Sequence, residues 1–181
     1  MNLVLTTAVI LVGLLCAFDL LLTLGVIKRL REHTELLSAA ESAPPAPIAV
    51  GSEVEDFHVT TVDGESLRAD MFDGETLVAF FSPSCGPCQE RLPKFVEYAG
   101  ARPGGRDRAL AIVIGDEAQT AAPVAALSPV ARVVVEDPDG ALANAFEVNA
   151  YPTVLMITPN EAGRIVVTDN QVRFDQPLAA V

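Results

Sequence analysis

Five apolar residues and two cysteines meet in the sequence Leu77-Val78-Ala79-Phe80-Phe81-Ser82-Pro83-Ser84-Cys85-Gly86-Pro87-Cys88. A short, continuous apolar run of this kind predicts a strand that is buried on both faces. The residues after Cys85 carry apolar side chains at helical spacing, which predicts a helix that begins at the cysteines. A C-x-x-C pair at such a strand-to-helix junction predicts a dithiol that can close and open one disulfide.

Strand and helix patterns alternate on both sides of this junction. A period-two or continuous apolar pattern predicts strands at residues 57–62, 76–82, 109–114, 132–135, 153–158 and 164–168. Helical spacing predicts helices at residues 86–100, 117–127 and 138–146, and a closing helix after Asp169. Because the last two strands are joined by a short hairpin loop, we expect an α/β fold with a mixed central sheet flanked by helices.

The charge balance excludes one broad class of function. The chain of 181 residues has 12 basic and 24 acidic residues, a net charge of −12. An acidic surface disfavours nucleic acid, whose phosphates need basic patches, and also disfavours docking on anionic lipid. Three cysteines are too few for a disulfide scaffold in a chain of this length.

The N-terminal region predicts a membrane anchor. Residues 3–27 are almost continuously apolar, and as a helix they would span roughly 37 Å, more than the ~30 Å of a bilayer core. A cleaved signal peptide is the less favoured alternative, because no basic residue precedes the run. We therefore predict a transmembrane anchor at 1–28, a juxtamembrane helix and Pro/Ala-rich linker at 29–47, and a globular domain at 48–181.

Two arguments from the sequence disagree about the side of the membrane on which the globular domain lies. Lys28, Arg29 and Arg31 follow the apolar run, and by the positive-inside rule they put the domain in the cytoplasm. A tethered dithiol is more often needed outside the cytoplasm, where disulfides form and persist.

Two segments of the globular part carry a family resemblance. The segment Ser82-Pro83-Ser84-Cys85-Gly86-Pro87-Cys88, with Leu92-Pro93 after it, resembles the active site of thioredoxin-like proteins. The segment Phe146-Glu147-Val148-Asn149-Ala150-Tyr151-Pro152-Thr153-Val154, with Gly163-Arg164-Ile165 after it, resembles their cis-proline segment and final hairpin. More specifically, these segments resemble membrane-anchored thiol-disulfide reductases of the cytochrome-maturation type, and the resemblance covers residues 48–181. Residues 25–30 also resemble the N-terminus of the methylamine-utilisation accessory protein.

The resemblance implies a thioredoxin-like fold preceded by one transmembrane helix, and a role for each matching residue. Cys85 would be the nucleophile, because unpaired amides at a helix N-terminus favour its thiolate, and Cys88 would be the resolving thiol. Substrate would bind along Tyr151, Pro152 and Thr153, with a cis bond before the proline. The supporting residues would be Gly86, Pro87 and Arg91.

The resemblance also implies partners and a location. The disulfide itself carries the two electrons, so we expect no dissociable cofactor and no metal. The expected partners are protein disulfides and a membrane electron donor. The expected location is the cell membrane, with the redox domain on the extracytoplasmic side, which the resemblance favours over the charge rule.

Three residues depart from the family pattern. Ser84 stands where the family has Trp, Ala79 where thioredoxin has a buried Asp, and Arg91 where the cytochrome-maturation branch has Glu. Both usual acids for the proton of the second thiol are therefore replaced, and proton handling at Cys88 is expected to differ from the family norm.

Three other functions compete with a dithiol enzyme. Cys85 and Cys88 could be half of a zinc site, but only Cys16, His33 and His58 are available as further thiol or imidazole ligands. Ser82-x-x-Cys85 superficially matches a peroxiredoxin motif and suggests a thiol peroxidase, yet Val78 stands where those enzymes need proline. A non-catalytic maturation or chaperone module would use the Tyr151-Pro152 edge alone.

Overall fold

The computed structural model describes residue 13 and residues 48–174. The chain divides into two units, Met1–Pro44 and Pro45–Val181, and the fold below belongs to the second. The predicted anchor and linker lie outside the described residues, apart from Gly13, so the proposed boundaries at residues 28 and 47 stay predictions.

Among the residues that the structure describes, none belongs to a helix both long and apolar enough to cross a bilayer.

Seven strands and three helices follow one another along residues 58–169. The strands are β1 (His58–Thr60), β2 (Ser66–Arg68), β3 (Thr76–Phe81), β4 (Ala109–Ile114), β5 (Arg132–Glu136), β6 (Thr153–Pro159) and β7 (Ile165–Asp169). The helices are α1 (Gly86–Ala101), α2 (Glu117–Leu127) and α3 (Ala141–Ala145), with single 3-10 turns at Ala69–Met71 and Gly105–Arg108. The α/β class predicted from the sequence is confirmed.

The central sheet has five strands in the order β5-β4-β3-β6-β7. Strands β3, β4 and β5 run parallel, whereas β6 is antiparallel to β3 and β7 is antiparallel to β6. The sheet is therefore mixed, as predicted, and β3 lies at its centre. Strands β1 and β2 form a separate antiparallel hairpin.

Strand β3 is buried along its whole length, and its side chains alternate between two cores. Leu77, Ala79 and Phe81 point to the core that α1 covers, where the Phe81 and Phe95 rings meet edge to face at 5.4 Å. Val78 and Phe80 point to the opposite core, where the ring of Phe80 packs against that of Phe146 at 5.6 Å. The apolar run therefore supplies both halves of the hydrophobic core.

Helix α1 begins directly after Cys85 and runs through Pro93 without a break in the helix. Proline is well tolerated at Pro87, in the first turn, because the first amides of a helix have no partner inside it. The buried face of the helix, Cys88, Phe95 and Ala99, packs on the sheet.

Both outer strands of the sheet are met by other parts of the chain. Along β7, the amides of Gly51 and Val54 donate to the carbonyls of Val167 and Ile165 at 2.7 and 2.9 Å. Beside β5, the amide of Val62 at the β1–β2 turn donates to the carbonyl of Val133 at 2.8 Å.

Two helix predictions needed correction. The helix predicted at 138–146 is only α3, because the chain turns at Gly140, whose amide donates to the Asp137 carbonyl, and helical hydrogen bonding starts after that turn. The predicted closing helix does not begin within residues 170–174, and the rest of that prediction falls outside the described residues.

Replacing Phe80 with alanine is expected to destabilise the domain by about 3–5 kcal/mol, since a fully buried ring that packs against Phe146 is lost and a cavity remains. Urea unfolding followed by far-UV circular dichroism measures the change. The control Val62→Ala removes an exposed side chain and should cost no more than about 0.5 kcal/mol. Equal effects of the two substitutions would contradict the assignment of Phe80 to the core.

Candidate redox site

The two cysteines lie where the central strand ends and α1 begins. Cys85 has extended backbone angles (φ −92°, ψ 115°), and its amide donates to the Ser82 carbonyl at 3.1 Å. Its own carbonyl accepts the amides of Cys88 and Gln89, at 3.1 and 3.3 Å, which starts the helix. Both Cys85 and Cys88 are free thiols.

The two sulfurs have different surroundings. Cys88 is 2% exposed, and its Sγ accepts the backbone amide of Ser82 at 3.5 Å. Cys85 is partly exposed, and its Sγ donates to the carbonyl oxygen of Tyr151 at 3.3 Å. One thiol is therefore reachable from outside, and its neighbour is buried behind it, the arrangement that a nucleophilic and a resolving thiol need.

The pKa of the Cys88 thiol is raised to about 12, chiefly by burial and also by a hydrogen bond with the Cys85 side chain and by the charge of Cys85. The Ser82 amide and the positive charge of Arg91 act against this shift. Cys88 is therefore a protonated thiol near neutral pH, and its proton must be removed before its sulfur can attack.

The segment predicted to bind substrate lies against Cys85. The Tyr151-Pro152 peptide bond is cis, and the Tyr151 side chain packs against both cores. The hydroxyl of Thr153 donates to the carbonyl of Ala150 at 2.7 Å, which ties down the backbone before the proline. The structure thus brings Tyr151, Pro152 and Thr153 next to the cysteines, while their role in substrate binding stays a prediction.

The three residues predicted to support the site differ in their contacts. Gly86 and Pro87 are the exposed first residues of α1, and a side chain at Gly86 would meet open space. Nothing around Gly86 requires glycine there. Arg91 lies one turn after Cys88, and its guanidinium carbon is 5.4 Å from the centre of the Phe174 ring.

Sequence reasoning missed Glu136, the last residue of β5. Its carboxylate accepts the amides of Leu142 at 3.0 Å and Ala143 at 3.3 Å, at the start of α3. Burial raises the pKa of Glu136, against the effect of these two amides. The only sequence signal was an acidic residue at the end of a predicted buried strand.

The charge of Glu136 also acts on Tyr151, in the cis-proline segment. Burial raises the pKa of the Tyr151 phenol, and the negative charges of Asp139, Glu136 and Cys88 add to that effect. The carboxylate of Glu136 is therefore close enough to Tyr151 for its charge to act on the phenol.

The zinc alternative gains no support from the described part of the chain. Within residues 48–174, no three His, Cys, Asp or Glu side chains are grouped as metal ligands. His58 instead pairs with the hydroxyl of Ser66 at 2.8 Å in the β1–β2 hairpin. Cys16 and His33 lie outside the described residues.

A mixed sheet whose central strand leads into a helix with a C-x-x-C start, opposite a cis proline, defines a thioredoxin-like domain. The fold is similar to that of the thioredoxin domain of a thiol-disulfide oxidoreductase from Bacteroides vulgatus, with a TM-score of 0.52 and 17% identity. That similarity covers 69% of this chain and 89% of the other. Residues 50–167 match the AhpC/TSA family, and the chain belongs to this family.

Two relatives agree on the enzyme class. The chain is 24% identical over 129 residues to the thiol-disulfide oxidoreductase ResA of Geobacillus kaustophilus, which covers 71% of this chain and 74% of that protein. It is 25% identical over 132 residues to the sporulation thiol-disulfide oxidoreductase A of Bacillus subtilis, covering 71% and 75%. The enzyme class predicted from the sequence, thiol-disulfide oxidoreductase, is confirmed.

In a Cys85→Ser variant, alkylation of Cys88 by iodoacetamide is expected to be at least about a hundredfold slower in the folded chain than in urea, because burial keeps the sulfur protonated and covered. Its logarithmic rate should keep rising between about pH 8 and pH 10.5, past the ordinary thiol pKa. Mass spectrometry on a Cys16→Ser background locates the label.

The matched control is the Cys88→Ser variant, in which the partly exposed Cys85 should be alkylated readily in the folded chain. A Cys88 rate that levels off near the ordinary thiol pKa would contradict the burial effect. The same shift makes the Cys88 contribution to stability complete below pH 9.0, and it is lost as the pH rises toward about 12.

Proposed function

We propose that this protein is a membrane-tethered oxidoreductase that reduces disulfides of extracytoplasmic protein substrates with the Cys85/Cys88 dithiol. The observation that carries the proposal is the pairing of a reachable thiol, held against the Tyr151 carbonyl, with a buried thiol one helical turn away. Maturation of a cytochrome or a quinoprotein is the process that the sequence resemblance favours.

The reaction follows from the exposure of the two sulfurs. The Cys85 thiolate attacks one sulfur of a substrate disulfide, and the other substrate sulfur leaves as a thiolate. Cys88 then loses its proton and attacks the Sγ of Cys85, which closes the Cys85–Cys88 disulfide and releases the second substrate thiol. The substrate gains the two electrons that the dithiol loses, and a membrane electron donor supplies two more that reduce the Cys85–Cys88 disulfide again.

The backbone before Pro152 supports a role in holding the substrate. The Tyr151 carbonyl that accepts the Cys85 thiol lies beside the attacking sulfur. An extended polypeptide that paired with this backbone would bring its own disulfide to Cys85, in the manner of a strand added to an exposed edge. Tyr151, Pro152 and Thr153 are therefore the proposed substrate-binding residues.

The tether rests on the sequence alone. The apolar run at residues 3–27 supports a single membrane-spanning anchor, and the Pro/Ala-rich linker would hold the domain off the bilayer. We place the domain outside the cytoplasm because reduction of protein disulfides is needed where they form.

The two competing functions have less support. In the peroxiredoxin-like motif Ser82-x-x-Cys85, the Ser82 hydroxyl lies 3.1 Å from the hydroxyl of Ser84, whereas the Cys85 thiol donates to the Tyr151 carbonyl. The two residues of the motif therefore have different hydrogen-bond partners. The two curated relatives described above carry the name of thiol-disulfide oxidoreductases and not of peroxidases. A non-catalytic module would not need one reachable and one buried thiol, and it would retain its function in a Cys85→Ser, Cys88→Ser double variant.

A full-length Cys88→Ser variant is expected to accumulate mixed disulfides with protein substrates in the cell, because the second sulfur can no longer release them. Diagonal electrophoresis with and without dithiothreitol, followed by mass spectrometry, identifies the trapped proteins. The matched Cys85→Ser variant should trap none. Trapping that is equal in the two variants would refute the assigned roles.

Alkaline phosphatase fused after Pro47 is expected to be active, because that enzyme needs the oxidising space outside the cytoplasm to form its disulfides. A β-galactosidase fusion at the same residue is the control and should be inactive. An inactive phosphatase with an active galactosidase would place the redox domain in the cytoplasm, as Lys28, Arg29 and Arg31 suggest.

A further inference from the structure

Arg91 lies on the side of α1 that carries the buried thiol. Residues three apart on a helix are neighbours, so the side chains of Cys88 and Arg91 leave the helix on the same side. The positive charge of Arg91 favours the charged form of Cys88. Lys94, with the same charge, is exposed six residues after Cys88 and leaves the helix in a different direction.

An aromatic residue from the C-terminal end of the described chain holds Arg91. The Phe174 ring lies 6.2 Å from the ring of Phe95 and 5.4 Å from that of Tyr98, both on α1. The Arg91 guanidinium lies over this ring at 5.4 Å, within the range of a cation–π contact. A long side chain that would otherwise sample many rotamers is therefore fixed against a packed surface.

We propose that Arg91 stabilises the Cys88 thiolate that forms in the resolving step, and that Phe174 is the positioning residue that fixes the Arg91 guanidinium for it. The inference rests on the proposed dithiol reaction. It assigns a function to Arg91, which stands where the cytochrome-maturation branch has glutamate, and to Phe174, which is far from Arg91 in the sequence.

The groups that face Cys88 explain why a cation is useful there. Strand β3, against which Cys88 packs, has no ionisable side chain. Helix α1 contributes Arg91, the residue directly before it is Cys85, and the cis-proline segment contributes the Tyr151 phenol. Of these groups, only Arg91 lowers the free energy of a negative sulfur.

A carboxylate and an arginine beside Cys88 would assist the loss of its proton in different ways. A carboxylate can take the Cys88 proton, whereas Arg91 stays charged and can only compensate the sulfur left behind. The proton therefore goes to solvent or buffer. The Cys88 thiolate then forms its bond to the Sγ of Cys85 as the bond from Cys85 to the substrate sulfur breaks.

The reaction with 5,5′-dithiobis(2-nitrobenzoate) separates the two steps. When one equivalent is mixed with the reduced, full-length Cys16→Ser chain in detergent, attack by Cys85 releases one thionitrobenzoate at a rate that depends on concentration. Attack by Cys88 then releases the second at a rate that does not. Loss of the slow phase in a Cys88→Ser variant assigns that phase to Cys88.

Arg91→Gln is expected to slow the second phase about threefold for each unit by which the pKa of Cys88 rises, since the thiolate fraction falls tenfold while the remaining thiolate becomes more nucleophilic. The first phase should not change. Phe174→Leu keeps an apolar side chain without the ring and should slow the second phase less. Arg91→Lys keeps the charge and should restore most of the rate.

Lys94→Gln is the matched control, because it removes the same charge from another part of α1 and should leave both phases unchanged. Raising the salt to about 1 M should slow the wild-type second phase and leave that of Arg91→Gln unchanged, which a purely structural effect would not do. The proposal is overturned if Arg91→Gln leaves the second phase unchanged, slows both phases equally, or matches Lys94→Gln.

Failure of the underlying reaction looks different from failure of this inference. If the dithiol does not resolve mixed disulfides, the wild-type chain itself gives no concentration-independent second release. If only the role of Phe174 is wrong, Phe174→Leu retains the wild-type second phase although Arg91→Gln slows it.

Discussion

Burial of β3 on both faces is the constraint on which the rest of the domain depends. Each of its six residues is at most 1% exposed, so both faces of the sheet must be covered, by α1 on one side and by the Phe80–Phe146 core on the other. Because β3 is buried along its whole length, the first residues that can be exposed follow Phe81. The loop there leads directly into α1 and places Cys85 at the residue that precedes the helix, with its thiol against the Tyr151 carbonyl.

The same burial creates the chemical problem that the site has to solve. Cys88 must be shielded to act as the second thiol, but shielding disfavours the thiolate through which it reacts. The thioredoxin-like proteins that the sequence resembles have a carboxylate at one of two nearby positions, where this chain has Ala79, fully buried, and Arg91. A single helix therefore carries both the buried thiol and a compensating cation.

The sequence predicted what depends on neighbouring residues. The apolar run, the helical spacing after Cys85 and the hairpin before Arg164 are local patterns, and the strands, the start of α1 and the mixed sheet followed from them. Phe174 was missed because it meets Arg91 only when distant segments pack together, and Glu136 because its bonds to the start of α3 depend on the turn that joins β5 to that helix. The length of α3 was predicted wrongly because the turn at Gly140 interrupts an otherwise helical pattern.

The segment at residues 51–54, which pairs with β7, and the turn at Val62, which contacts β5, affect how the domain meets other chains. An uncovered outer strand offers unpaired amides and carbonyls to any extended polypeptide, and it is a common route to aggregation. Here β7 is paired along part of its outer side, and β5 is met by Val62. Partner polypeptides are thus discouraged from adding to the sheet at either outer strand, and under the proposed function their pairing is directed to the backbone beside Cys85.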